Sequence, residues 1–316
     1  MATDEYSIPV GCFGTPGSYS YRAMMGHFDG KTITPTYYGQ FADLVQAVAD
    51  GTVRYGVLPI ENSSTGGITE VYDLIHKYDC RIVGERYLKV EHHLLAYRDT
   101  KLEDIRTVYS HPQGLAQCRK YLTKHADWTV CPYYSTSQSA QFVQKERRHD
   151  IAAIANSTAA DMYGLTILER DVNDNPTNFT RFFVIAPHSE ESGLADKITL
   201  VLTVHHAPGT LYHVLGHFFY NDMNMTHLES RPIEGRPFEY FFHIDVMGSM
   251  KDPGVVRTLQ ALERTCKYFR ILGNYPSDKE GISMKLGLIG ERLGHSQSPA
   301  IHKRIFELLG IDGSMI

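Results

Sequence analysis

The first 186 residues alternate short apolar runs with stretches whose apolar side chains recur at helical spacing, a pattern that commits the chain to an α/β architecture. Residues 8–13 and 55–60 read as buried strands. Between them Phe41, Leu44, Val45 and Val48 take the i, i+3, i+4, i+7 positions of an amphipathic helix. Further strands are expected at 108–110, 151–155 and 182–185, separated by helical stretches such as 114–124, which implies parallel pairing within one or two sheets. In such folds ligands sit where strands end, so the polar segments there carry the functional interest.

A second pattern follows. Residues 188–196, HSEESGLAD, are polar without an apolar period and read as a linker. Beyond them Ile198, Leu200, Leu202 and Val204 alternate as a strand, and Leu211, Val214, Leu215, Phe218 and Phe219 form a helical face after Pro208. A strand near 225–229 is followed by a second alternation through Phe238, Tyr240, Phe242, Ile244 and Val246. Val255, Leu259, Leu262 and Cys266 are spaced as a helix, and residues 268–272 close the set. The order βαββαβ predicts a ferredoxin-like domain over 197–276. Residues 285–316 begin another strand and helix but carry too little apolar surface to fold alone.

Composition removes several functions. Lys and Arg number 31 against 36 Asp and Glu, a net charge of −5 with no basic stripe, which argues against nucleic acid as a partner. No apolar run approaches the roughly 18 residues of a membrane span, and the opening MATDEYS lacks a signal peptide's basic flank, so a cytoplasmic location is expected. Five cysteines without C-x-x-C spacing read as reduced thiols. The pairs His92/His93 and His205/His206 point to opposite strand faces, and no metal site is expected. There is no G-x-S-x-G elbow, G-x-G-x-x-G turn or Walker loop.

Three polar clusters remain. Residues 14–20, GTPGSYS, place two glycines and Ser18 before a helix, either to present backbone N–H groups to an anion or simply to cap the helix. Glu61, Asn62, Ser63, Ser64 and Thr65 follow a buried strand and precede the helix 68–77, reading equally as a capped helix start or as a cradle for a carboxylate. In the third, Asn178, Thr180 and Arg181 bring an amide, a hydroxyl and a guanidinium fork that suits a carboxylate, although an arginine more commonly pairs with a surface Asp or Glu.

Taken in order, GTPGSYS at 14–20, PIENS at 59–63, SHPQGLAQC at 110–118 and NFTRF at 178–182 resemble the prephenate dehydratase family across nearly all of residues 1–187. The resemblance implies a catalytic region of two α/β lobes like a periplasmic binding protein, acting on prephenate to give phenylpyruvate and needing no cofactor. It implies Thr180 as the catalytic hydroxyl and Arg181 as electrostatic anchor or organiser. Glu61, Asn62, Ser63 and Asn178 would line the cleft, and Ser18, Ser20 and Phe182 would meet the substrate. Pro208, Gly209, Thr210 and Leu211, with Asn224 and Glu229, Ser230 and Arg231, look like the phenylalanine-binding residues of an ACT regulatory module. That implies feedback by phenylalanine and a homodimer or homotetramer paired through these modules. Thr210 stands where that loop usually has alanine, an added hydroxyl beside the effector pocket. Residues 285–302 resemble the opening of shikimate dehydrogenase, with Ser296 and Ser298 at its shikimate serines, but the chain stops short of that family's catalytic residues. The alternatives are arogenate dehydratase, with the same chemistry on an amine-bearing substrate, and a non-catalytic amino-acid sensor.

Overall fold

The computed structural model describes residues 7–233, 235–279 and 281. The tail expected over 285–316 lies outside them. The residues up to Ser277 belong to one compact unit built on three sheets.

The first lobe opens with β1 (Ile8–Phe13), α1 (Tyr19–His27), β2 (Ile33–Tyr38), α2 (Phe41–Ala49), β3 (Tyr55–Asn62), β4 (Gly66–Gly67), α3 (Thr69–Lys77) and β5 (Arg81–Lys89). The helical spacing at 41–48 does what it predicts, burying Leu44, Val45 and Val48 of α2 against the sheet. The chain then crosses into a second lobe. That lobe contains β6 (His93–Ala96), β7 (Thr107–Ser110), α4 (Pro112–Gln117), α5 (Arg119–Thr123), β8 (Thr129–Pro132), α6 (Thr136–Glu146), β9 (Ile151–Ala155), α7 (Ser157–Tyr163) and β10 (Thr166–Glu169). Finally β11 (Phe179–Ala186) returns to the first lobe. The sheet orders are β2-β1-β3-β11-β5, with β4 on β3, and β10-β6-β9-β7-β8.

Parallel pairing holds for β1 with β2 and β3, and for β7 with β8 and β9. It does not hold for β11, which runs antiparallel to both β3 and β5. The reason is topological: β11 enters from the other lobe without a crossover helix to restore its direction. The helix expected over 114–124 is also interrupted at Cys118. There Asp174 donates its amide to the Gln117 carbonyl, and its carboxylate takes the Lys120 amide at 3.0 and 3.2 Å, capping α5 from outside.

After residues 187–196, which carry no helix or strand, come β12 (Lys197–Thr203), α8 (Thr210–Phe219), β13 (Met225–Pro232), β14 (Tyr240–Met247), α9 (Pro253–Thr265) and β15 (Tyr268–Tyr275). The third sheet is antiparallel in the order β13-β14-β12-β15. Val214 and Phe218 of α8 and Leu259 and Leu262 of α9 cover one face of it. Phe219, which spacing placed on the buried face of α8, is instead 76% exposed.

The other face of the third sheet packs on the first lobe, where Val201, Leu272 and Tyr275 join the core formed by Leu58, Ile60, Tyr72, Ile75 and Phe183. At the closest approach a Cβ on Gly273 would collide with the Ile82 carbonyl oxygen of β5. Because the obstacle is backbone, Gly273→Ala should force the sheets apart and cost about 1–3 kcal/mol. Urea unfolding checks this, and an unchanged midpoint would contradict the contact.

His243, on β14 in this interface, is 3% exposed, neither ring nitrogen has a hydrogen-bond partner among the described residues, and Tyr72 lies 4.4 Å away, ring to ring. Burial first, then the neighbouring His227 and His76, push its pKa down from 6.5 to about 3. The unfolded chain therefore takes a proton near pH 6.5 that the folded chain refuses until about pH 3. Stability is full above this window and is lost as pH falls through it. Burial lowers His76, His92 and His93 as well, so they act in the same direction. Urea midpoints should fall from about pH 7.5 to about pH 4.5, and less steeply in His243→Phe. Equal slopes in parent and variant would contradict the assignment.

Candidate active site

A cavity of about 180 Å³ lies in the cleft between the two lobes. The first sheet contributes Asn62 from the end of β3 and Thr180 from the start of β11, which are cross-strand neighbours. Tyr19 at the start of α1, His92 from the crossing into the second lobe, and His111, Gln113 and Gln117 of the α4 segment complete much of the wall, with Thr136 at the start of α6. Thus α1 and α6 both begin at the cavity, with Ser18 and Ser135 as their caps. Helix N-termini present unpaired N–H groups and positive potential, which favours an anion in the cleft although no Lys or Arg is among its described lining residues.

The donors and acceptors around Thr180 have a fixed direction. Asn62 Oδ1 accepts from the Ser64 amide at 3.0 Å and from Thr65 Oγ1 at 3.3 Å. The Ser64 amide can only donate, so the other end of the Asn62 amide is Nδ2, and it donates to Thr180 Oγ1 at 2.9 Å. Thr180 therefore receives a hydrogen bond on its oxygen and keeps its own proton for the cavity. A donor aimed at that oxygen also stabilises the negative charge left when the proton departs.

His92 is 2% exposed and bridges Tyr19 Oη at 3.3 Å and Gln117 Oε1 at 2.8 Å. Burial lowers its pKa, which keeps the imidazole neutral. Burial likewise raises the Tyr19 phenol, so it too stays neutral. Among the hydrogen bonds between the lobes, Gln113 Nε2 donates to Thr65 Oγ1 at 3.2 Å, Thr15 pairs with Ser137 at 2.7 Å, and Asn156 and Tyr163 donate to the carbonyls of Gly17 and Pro16 at 2.9 and 3.0 Å.

Several expected site residues lie elsewhere. Side chains alternate along a strand, so Glu61 and Arg181, each one residue from Asn62 and Thr180, face the opposite side of the sheet. Arg181 is 2% exposed and does not line the cavity. Its guanidinium pairs with Glu85 at 2.7 Å and Asp245 at 2.5 Å, and donates to Tyr275 Oη at 3.1 Å. The expected fork for a substrate carboxylate is thus already filled by the protein's own carboxylates. Burial opposes the charge, but Asp245, Tyr275 and Glu85 outweigh it and hold the Arg181 pKa well above its ordinary value. Glu61 sits 3.4 Å from His227 Nδ1 and 3.9 Å from Arg181.

Ser63 fastens the two strands: its Oγ accepts from the Phe179 amide at 2.9 Å. Asn178 is buried, and its carbonyl accepts from the Val90 amide. Phe182 belongs to the core with Val10, Cys12 and Val57, and Ser20 is buried on α1, while Ser18 caps that helix by accepting from the Tyr21 amide. Of the expected cleft residues only Asn62 and Thr180 line the cavity. His92 carried no sequence signal of a role, whereas Tyr19 stood inside GTPGSYS and His111, Gln113 and Gln117 inside SHPQGLAQC, legible there as motifs but not as individuals.

The expected effector residues do not gather in one chain. Pro208 and Thr210 line a separate cavity of about 500 Å³ at the end of β12 beside Tyr240, and Gly209 adopts φ +79° as the cap of α8. Asn224 lies at the opposite end of β13, and Arg231 is tied to Asp73 of α3 at 2.9 Å. The Thr210 hydroxyl is turned inward, donating to the carbonyls of His205 at 2.8 Å and Ala207 at 3.0 Å.

The family model described as prephenate dehydratase matches residues 10–190. The bifunctional chorismate mutase/prephenate dehydratase of Escherichia coli (strain K12) is 34% identical over 281 residues, covering 87% of this chain and 72% of that protein. The chloroplastic arogenate dehydratase/prephenate dehydratase 2 of Arabidopsis thaliana is 36% identical over 282 residues, covering 86% and 73%. Among solved structures, prephenate dehydratase in complex with L-Phe from Arthrobacter aurescens superposes with a TM-score of 0.76 at 27% identity, covering 96% of this chain and all of that one. The structure of GqqA, described as a novel type of quorum quenching acylase, gives a TM-score of 0.77 at 33% identity over 85% of this chain and 98% of that one.

Proposed function

The chain belongs to the prephenate dehydratase family, and from that premise we propose that Thr180 supplies the proton that carries off the ring hydroxyl of prephenate. The enzyme is a lyase converting prephenate to phenylpyruvate, carbon dioxide and water. As the ring C–O bond breaks, the hydroxyl takes the Thr180 proton, the ring carboxylate leaves as carbon dioxide, and the electron pair of its C–C bond completes the aromatic ring. Aromaticity drives the step, so the site has to position a dianion and deliver one proton. The observation that carries the reading is the Asn62 to Thr180 hydrogen bond, whose direction leaves the threonine proton pointing to the cleft. An aliphatic hydroxyl is a weak acid, and Asn62 compensates by stabilising the alkoxide until water returns the proton.

The two carboxylates of prephenate fit the ends of α1 and α6, one from each lobe, with the Gln113 and Gln117 amides and Tyr19 as further donors. Arogenate is the second substrate to test, since the plant relative's name carries both.

The linker over 188–196 and the domain over 197–276 are part of the same reading: an ACT module of ferredoxin-like plan, with phenylalanine as effector. Its sheet order and two helices on one face support this. In this reading Asn224, at the far end of β13 from the cavity of Pro208 and Thr210, meets a cavity of a second copy, making the enzyme a homodimer or larger. The location in this reading is the cytoplasm.

Thr180→Ala should lower kcat for prephenate by roughly 10²- to 10⁴-fold. Asn62→Asp, which replaces the donor with an acceptor, should lower it by roughly 10²-fold. Near-normal turnover in either variant would reject this acid. Phenylalanine should curb turnover of the parent, and calorimetry showing no phenylalanine binding would remove the effector assignment while leaving the catalytic one.

A further inference from the structure

Directly behind the site, on the other face of β11, four charged side chains are buried together. Arg181 meets Glu85 of β5 at 2.7 Å and Asp245 of β14 at 2.5 Å, while Lys197 of β12 reaches both Glu85 oxygens at 3.0 Å. None of the four exceeds 4% exposure. The cluster holds two cations and two anions, with Arg181 and Glu85 from the catalytic sheet and Asp245 and Lys197 from the third sheet.

Hydrogen-bond chemistry also fixes its direction. A guanidinium only donates and a carboxylate only accepts, so the ring of contacts can be written one way. Arg181 donates to Tyr275 Oη at 3.1 Å, Tyr275 donates to Thr199 Oγ1 at 2.7 Å, and Thr199 donates to Asp245 Oδ1 at 2.6 Å. An ion pair from Arg181 to the other Asp245 oxygen closes the ring. Its guanidinium also lies 4.7 Å over the Phe183 ring, which fixes its plane. Such a closed set has one arrangement, and Arg181 is the sole β11 residue in it, one peptide unit from Thr180.

We propose that Arg181 is a positioning residue through which Asp245 and Tyr275 of the third sheet set where Thr180 points in the cleft. The inference rests on the assignment of Thr180 as the acid but adds what holds it there: the third sheet is part of the catalytic apparatus before any effector binds. A shift of that sheet is transmitted along Asp245 and Arg181 to the start of β11. A hydroxyl displaced by a fraction of an ångström still admits substrate but transfers its proton less well, so the signature is a fall in kcat at constant KM.

The test uses the full chain with Asp245→Asn, which keeps shape and the Thr199 contact, and Tyr275→Phe, which keeps all four charges and removes only the relay hydroxyl. Steady-state kinetics with prephenate are scaled to the folded fraction from far-UV circular dichroism, and amide hydrogen exchange is followed for the peptide spanning residues 178–183. In each folded variant the expected result is a kcat roughly tenfold lower, a KM within about twofold of the parent, and faster exchange at Thr180 and Arg181. The inference is overturned by unchanged kcat in folded Tyr275→Phe, by a loss that disappears on scaling to the folded fraction, by a rise in KM with kcat intact, or by unchanged exchange. Should Asp245→Asn not fold, Tyr275→Phe alone decides. A parent without turnover would instead sink the reaction assignment, and the exchange measurement would still judge the anchor.

Discussion

Two neighbouring strands, β3 and β11, pair Asn62 with Thr180 and Glu61 with Arg181. Because strand side chains alternate, these two pairs face opposite ways, and much of the molecule follows from that division. The Asn62/Thr180 face looks into the cleft between the lobes, where we propose the chemistry takes place. The Arg181 face looks away and is closed by a third sheet that brings Asp245, Lys197, Thr199 and Tyr275 to meet it. A buried arginine without those carboxylates would be untenable, so the catalytic strand and the third sheet need each other to fold as they do.

Burying four charges stabilises the fold little compared with filling the same space with apolar side chains, but removing one partner strands another and costs roughly 3–5 kcal/mol. What the cluster gives is a fixed geometry. Burial raises the Asp245 carboxyl, yet the Arg181 and Lys197 charges outweigh it and hold its pKa below the ordinary value. The Arg181 and Asp245 pair therefore stays ionised near neutrality. On the cleft side His92 and Tyr19 are neutral instead, the first lowered and the second raised by burial. In the proposed reaction the substrate's charge is met by helix ends and amides, which do not titrate.

The fold was largely legible because apolar periodicity reports which face of an element is buried. Strand 151–155 and the helix around Leu44 and Val45 lie where the pattern puts them. What periodicity lacks is direction and depth: it gave no sign that β11 returns antiparallel, that Asp174 breaks the helix at Cys118, or that Phe219 points outward. The site was legible as segments rather than as side chains. Reading PIENS and NFTRF as clusters gathered Glu61 with Asn62 and Arg181 with Thr180, when the period of two separates each pair onto opposite faces. His92 became visible only in the folded chain, where it meets Gln117 of a separate segment through a 2.8 Å hydrogen bond.

The measurement that bears most directly on this division of labour is a crystal structure of the chain with a non-reactive dicarboxylate analogue of prephenate in the cleft. The account predicts Thr180 Oγ1 within hydrogen-bond distance, roughly 2.6–3.2 Å, of the oxygen that stands for the leaving hydroxyl. It also predicts Asn62 still donating to Thr180, and Arg181 still bound to Glu85 and Asp245 without touching the ligand. An Arg181 guanidinium withdrawn from Asp245 and paired with a ligand carboxylate would contradict it.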